Sequence, residues 1–229
     1  MSQWASEQKS SNVMNKKIIL VRHGMTKGNI EKRYVGSTNE DILDSEKELL
    51  HNVSISECRS VSENNLKKHL QGMEIINDAV LISSPMRRCR ETCLYLTGRE
   101  PDMICDGLRE MNFGDLEYKN FTELDGNPYY QAYIDSNGEK AFPNGESKQE
   151  FTDRTCEAFA ELMHELKNDV RPLVLFVHGG TIMALLSKYG VPKKDYFSYQ
   201  TKPLSGFAGM LSVDYNISIT DITGFSLGK

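Results

Sequence analysis

No stretch of the sequence is apolar for long enough to cross a bilayer, and the polar start from Met1 to Asn15 lacks the apolar core of a signal peptide. Those two absences set the expectation of a soluble, cytoplasmic protein. There is no excess of one charge either: 27 Lys and Arg against 32 Asp and Glu leave a net charge of -5 with mixed signs along the chain. Such a surface offers no general field for nucleic acid or an anionic membrane, so any anion must be caught by a local pocket. The five cysteines, Cys58, Cys89, Cys93, Cys105 and Cys156, are odd in number and scattered, which suits reduced thiols rather than a disulfide framework. No grouping of Cys and His has zinc-site spacing, and no metal or other cofactor is expected. Tryptophan occurs once, at Trp4, inside a stretch from residue 1 to 15 that reads as a disordered extension. Repeats and linkers are missing too, so residues 16 to 229 are expected to form one domain.

What is present is a series of short β-branched runs. Lys17 to Val21, Ala79 to Ile82 and Leu173 to Val177 are continuous and apolar, as strands buried on both faces of a parallel sheet are. Met103 to Cys105 reads as a shorter strand, and two closing strands, Ala208 to Asp214 and Ile217 to Ile222, flank a Tyr215-Asn216 turn. Helices are expected between them. Residues 45 to 71 carry Val61, Leu66 and Leu70 at amphipathic spacing; Pro85 opens a helix from Met86 to Leu96, capped by Ser84. The longest helix is expected from Ser147 to Asn168, and another from Ile182 to Tyr189. Between residues 115 and 145 the turn-forming clusters Asp125-Gly126-Asn127-Pro128, Ser136-Asn137-Gly138 and Pro143-Asn144-Gly145 predict a cap of short helices and loops, rich in aromatic side chains. Alternating strands and helices with an antiparallel ending indicate a mixed α/β sheet.

The chemistry-bearing residues gather at strand ends. His23 and His178 each follow a buried run and precede glycine, and the chain has only three other histidines. One histidine so placed reads as structural. Two, on neighbouring parallel strands, would open onto the same crevice, where imidazole can serve as nucleophile, base or donor. Arg22 and Arg88 converge on that crevice from two strand ends, and guanidinium suits phosphate oxygens through its paired donors. Either arginine alone would read as a surface ion pair. Asn29 offers an amide donor or a turn; Glu110 follows a strand and precedes a glycine turn, as a pocket-rim acid or a solvated side chain. Cys93 and Arg99 have the cysteine-x5-arginine spacing of tyrosine phosphatases, but Leu94-Tyr95-Leu96 continue a helix between them, which leaves Cys93 as a small apolar residue.

Four motifs in order carry a resemblance: Arg22-His23-Gly24-x-Thr26-x-x-Asn29, Ser84-Pro85-x-x-Arg88-x-x-x-Thr92, Leu108-x-Glu110-x-x-x-Gly114-x-x-Glu117 and Val177-His178-Gly179-Gly180. Together they resemble the histidine phosphatase superfamily in its phosphoglycerate-mutase-like branch, over about residues 17 to 220. The resemblance implies an α/β fold, a three-layer α/β/α sandwich with a mixed, mostly parallel central sheet and a small cap inserted between strands. It also implies roles. His23 would become phosphohistidine, while Arg22, Arg88 and a protonated His178 bind the transferring phosphoryl group with help from Asn29. Glu110 would protonate the leaving oxygen and then activate water, with no metal. The other nitrogen of His23 is expected to bond a backbone carbonyl that fixes its tautomer.

The Arg33-Tyr34-Val35-Gly36 loop and Asn144-Gly145-Glu146-Ser147 are similar to those of the α-ribazole phosphatase subgroup, which makes α-ribazole 5'-phosphate a candidate among small phosphorylated metabolites. The mutase's glutamate-serine-x-tryptophan after the nucleophile is absent, and no basic cap insertion for a bisphosphate is visible, so hydrolysis is favoured over mutase chemistry. A non-catalytic module that only binds phosphorylated ligands is the reading of a different class. Leu43-Asp44-Ser45-Glu46 departs from the family's glycine-containing turn, which leaves open where the following helix begins.

Overall fold

The computed structural model of the chain describes residues 14–57 and 78–227. Strand β1 (Met14–Arg22) is followed by helices α1 (Lys27–Ile30) and α2 (Asp44–Glu57), strand β2 (Val80–Ser83), helix α3 (Arg87–Thr97) and the short strand β3 (Met103–Ile104). The cap then contains helix α4 (Pro128–Asp135). Helix α5 (Lys148–Glu165), strand β4 (Leu173–Val177), helix α6 (Gly179–Tyr189) and strands β5 (Ser205–Val213) and β6 (Ile217–Ser226) complete the chain.

The sheet order is β3-β2-β4-β1-β5-β6. β1, β2, β3 and β4 pair in parallel, while β5 and β6 run antiparallel, so the sheet is mixed as expected. Strand alternation sorts the buried runs between two cores. Ile18, Leu20, Leu173, Leu175 and Val177 face Phe159, Met163, Ile182 and Leu185 of α5 and α6. Ile19, Val21, Val174 and Phe176 face Leu50 of α2 and Cys89, Cys93 and Leu96 of α3. Helices therefore cover both faces, which gives three layers. Between β3 and β4 the chain leaves the sheet to build a third cluster from Met111, Leu116, Leu124, Phe142 and Phe151, packed by Tyr34, Phe113, Tyr130, Tyr133 and Tyr196.

Several boundaries move from those expected, each for a local reason. β1 begins at Met14, two residues inside the stretch expected to be an extension, because Met14 and Asn15 find ladder partners in Val213 and Ser212 of β5. Residues 1 to 13 lie outside the described residues. α2 starts at Asp44 despite the missing glycine; Val61, Leu66, Leu70 and Cys58 lie outside the described residues. α3 is not capped by Ser84, whose hydroxyl is turned to His178. Met86 is its first flanking residue, and the Arg87 amide is satisfied by Asn39 Oδ1 at 2.8 Å from the loop before α2. α6 begins three residues early, because the His178 carbonyl already accepts from Ile182 N at 3.0 Å, drawing both glycines into the first turn.

Ser147 starts α5 with a reciprocal capping box, its side chain accepting from Glu150 N while the Glu150 side chain accepts from Ser147 N. Ser147→Ala is expected to lower the unfolding free energy by about 1 kcal/mol in urea titration; an unchanged midpoint would show that the box contributes nothing.

Candidate active site

The parallel pairing of β1 and β4 sets Arg22 opposite Val177, and His23 N continues the ladder by donating to Val177 O at 3.0 Å. His23 and His178 therefore leave neighbouring strands side by side. Their rings lie 5.2 Å apart between centroids, edge to face. Ser84 N donates to Phe176 O at 3.0 Å, which brings the β2 end and the start of α3 to the same place. The structure thus gathers His23, His178, Arg22 and Arg88 at one edge of the sheet, where strand C-termini of open α/β sheets present their ligand crevice.

His23 Nδ1 lies 2.7 Å from the Gly24 carbonyl oxygen. A carbonyl only accepts, so Nδ1 carries the proton and Nε2 keeps its lone pair, the tautomer expected for a nucleophile. The ring is 4 % exposed. Burial first, then the Arg88 and Arg22 charges, push its pKa well below the ordinary imidazole value, so it is neutral at pH 7. His178, fully buried, is held the same way by burial and by Arg88. Arg88 Nε donates to His178 Nδ1 at 3.3 Å, so the proton sits on Nε2, which donates to Ser84 Oγ at 2.8 Å. This corrects the expectation of a protonated His178: an arginine donor and a dry setting leave it neutral.

Of the three arginines at the start of α3, only Arg88 turns inward, and it is 1 % exposed. Arg87 pairs with Asp41 and Arg90 with Glu100 in solvent. The Arg88 guanidinium also donates to Thr38 O at 2.8 Å and Gly36 O at 3.0 Å, which ties the 35–38 loop to the histidine pair. Gly36 has no room for a side chain, since a Cβ there would lie 1.9 Å from Met111 O. Arg22 donates through Nη1 to Thr201 O, while its Nε is buried with no hydrogen-bond partner among the described residues.

Glu110 arrives from the loop after β3. Its carboxylate accepts from Met111 N at 3.0 Å and from Gly180 N, at the start of α6, at 3.2 Å. A Cβ on Gly180 would lie 2.3 Å from Glu110 Oε1, so any side chain there would push the carboxylate out of this position. The carboxylate lines two cavities, one of about 500 Å³ under the cap and one of about 270 Å³ beside Gly36 and Arg154. Neither histidine lines either cavity, so both imidazoles are recessed from them. Asn29 is less engaged than expected. Its Oδ1 accepts from Thr26 N and its own N donates to Thr26 Oγ1, the two halves of a capping box that starts α1. That bond orients Asn29 beside the His23 turn and leaves its Nδ2 group without a hydrogen bond among the described residues.

Two partners escaped the reading of the sequence. Arg154, on α5, forks onto Glu146 through Nε and Nη2 at 2.7 and 2.8 Å, and donates to the carbonyls of Gly107 at 2.8 Å and Glu110 at 3.4 Å. It is the brace of the Glu110 loop. Glu146 fell within a recognised motif, but nothing in the spacing of Glu146 and Arg154 marks them as a pair. Thr92 accepts from Gly24 N at 2.9 Å and donates to Arg88 O at 2.6 Å, joining the His23 turn to α3; its place four residues after Arg88 was the available signal. Cys93 is a buried helix residue whose thiol burial pushes up to about 12, in keeping with a packing role. Among the described residues no group of three or more His, Cys, Asp or Glu is arranged to hold a metal, and no helix is long and apolar enough to cross a membrane.

A neutral histidine pair at parallel strand ends, with two arginines and a carboxylate around it, defines an α/β protein equipped for phosphate chemistry. The family model of the histidine phosphatase superfamily (branch 1) matches residues 18–206, and the chain belongs to that family. It is similar to a broad-specificity phosphatase of Saccharomyces cerevisiae, 29 % identical over 74 % of this chain and 68 % of that protein. A protein of Escherichia coli named probable phosphoglycerate mutase GpmB is 28 % identical over 74 % of this chain and 73 % of its own. The crystal structure of the α-ribazole phosphatase from Shigella flexneri superposes with a TM-score of 0.67 over 89 % of this chain and 94 % of its own, at 19 % identity, which shows a shared fold.

The two buried imidazoles make stability depend on pH. Their pKa values are depressed on folding, so the unfolded chain binds protons that the folded protein refuses. The contribution is present above the ordinary value of 6.5 and is lost as pH falls below it. Urea unfolding between pH 7.5 and 5.5 should show stability declining below 6.5 by up to about 1.4 kcal/mol per pH unit for each histidine. A flat profile would contradict the buried, neutral assignment.

Proposed function

We propose that the chain is a metal-independent phosphomonoester hydrolase that works through a phosphohistidine at His23 and takes a small phosphorylated metabolite. The observation that carries this is the tautomer of His23: with Nδ1–H held on Gly24 O, the Nε2 lone pair is the one free to attack phosphorus. In the first step Nε2 forms a bond to phosphorus, the bond from phosphorus to the ester oxygen breaks, and Glu110 gives its proton to that oxygen. In the second step Glu110 takes a proton from water as the water oxygen attacks phosphorus, and the P–N bond breaks to release phosphate and restore His23.

Charge on the equatorial oxygens is met by guanidinium rather than a metal. Arg22 Nε is a buried donor with no hydrogen-bond partner among the described residues, a costly arrangement that a phosphoryl oxygen relieves. Arg88 exchanges a loop carbonyl for a phosphoryl oxygen, His178 turns its one N–H, on Nε2, from Ser84 Oγ to another such oxygen, and Asn29 adds its amide. α-Ribazole 5'-phosphate is one candidate, supported by the loop motifs and by a neighbour of the same fold that bears that activity in its name.

Assays with p-nitrophenyl phosphate should give turnover that EDTA leaves unchanged, and His23→Ala should reduce it to background. Glu110→Gln should lower kcat/KM on alkyl phosphates by about 100-fold or more while affecting aryl esters, whose leaving groups need little protonation, far less. Undiminished turnover in His23→Ala sinks the nucleophile. Equal losses on both ester types count against the acid, and chelator-sensitive activity against the metal-free mechanism. Phosphate binding without any turnover would favour the non-catalytic module.

A further inference from the structure

The cavity of about 500 Å³ under the cap is lined by Glu110 and by Gly180, two residues after His178, so a leaving group that takes its proton from Glu110 extends into it. Its walls are mainly aromatic and apolar: Tyr34, Phe113, Tyr133, Phe151, Met183 and Tyr196 line it, with Asn137 and Gln200 as the uncharged polar side chains. The tyrosine hydroxyls are already used. Tyr34 OH donates to Tyr130 OH at 3.1 Å, Tyr133 OH to Met111 Sδ at 3.9 Å and Tyr196 OH to Gly180 O at 3.4 Å. Burial raises the pKa of all three phenols, so they stay neutral. Two large apolar side chains at the same cavity remain open to solvent, Phe197 at 54 % and Ile134 at 48 % exposure.

Charge is scarce there. Among the described residues lining the cavity the single cation is Lys148, and its ammonium is engaged by Glu139 at 2.7 Å and by the Asn137 carbonyl at 2.9 Å. Glu110 supplies the single carboxylate. A second anionic group on the substrate would give up its water to meet a carboxylate and an occupied lysine, which is a net penalty. A flat apolar body would instead exchange water for ring faces and methionine sulfur.

We infer that this cavity selects phosphomonoesters whose leaving group carries an uncharged aromatic body, and that it discriminates against those bearing a second anionic group such as a carboxylate. The inference rests on the hydrolase reading above. It gives the cavity under the cap a specific chemical preference, set by Phe113, Tyr196 and Phe197 and by the paired state of Lys148.

Three primary alkyl phosphates with similar leaving-group basicity isolate the effect: 3-phenylpropyl phosphate, n-propyl phosphate and 3-phosphooxypropionate. The expected order of kcat/KM places the phenyl ester about tenfold or more above the propyl ester, a ring's worth of buried apolar surface, and the carboxylate ester well below both. Phe197→Ala, at a position 54 % exposed, should shrink the ratio of phenyl to propyl ester. Equal kcat/KM on all three, or a preference for the carboxylate ester, overturns the inference while leaving the hydrolase reading intact. A ratio untouched by Phe197→Ala overturns the placement of the aromatic body in this cavity. Absence of turnover on all three, and on p-nitrophenyl phosphate, overturns the hydrolase reading and this inference with it.

Discussion

The site depends first on the register between β1 and β4. Pairing Arg22 with Val177, and extending the ladder by one bond from His23 N to Val177 O, places two histidines at the same height on adjacent parallel strands. A slip of one residue would turn Ile18, Leu20 and their neighbours to the opposite core and carry His23 away from His178. The continuous apolar runs on both strands, buried on both faces, make such a slip expensive. Sheet energetics and site geometry are therefore one constraint: the burial that fixes the core also aims the imidazoles.

Around that register the protein buries the histidines beside cations, and burial first, then the positive charges, keeps them uncharged. The Arg88 guanidinium reaches His178 and the 35–38 loop, and its backbone carbonyl, through Thr92, reaches the turn after His23, so one buried residue joins three segments distant in sequence. Burial and these positive charges act in the same direction on both rings. In the proposed mechanism the neutral imidazole offers a lone pair to phosphorus and the arginines meet the charge on the phosphoryl oxygens. Glu110 lies close enough to this group for its charge to act on Arg22, and it is held by the amides of Met111 and Gly180 while Arg154 braces its backbone carbonyl.

Much of this could be read from residues in order. The buried strands declared themselves as β-branched runs, and Leu173–Val177 has the limits its composition suggests. His23, His178, Arg22 and Arg88 stood out because each occupies a strand end or the first turn of a helix. What escaped were bonds made at a distance. The Ser84 hydroxyl turns to His178 rather than capping α3, and Asn39, 48 residues away, satisfies the Arg87 amide in its place. Arg154 braces backbone carbonyls more than 40 residues away. The protonation of His178 was misjudged for a related reason, since whether an imidazole is charged depends on burial and on which donor faces it, and neither is written in local sequence. The cap was recognisable from its turns and aromatics, but the engagement of Lys148 by Glu139 emerges only when the chain is folded.

The central claim is that His23 Nε2 carries the phosphoryl group during turnover. Rapid quenching of the reaction with an aryl phosphate at alkaline pH, where P–N bonds survive, followed by peptide mass spectrometry, tests it directly. One phosphoryl group on the peptide containing His23, on that residue and absent after chase with unlabelled buffer, is the predicted result. Steady turnover with no phosphorylated His23, or with the label on a different residue, would contradict it.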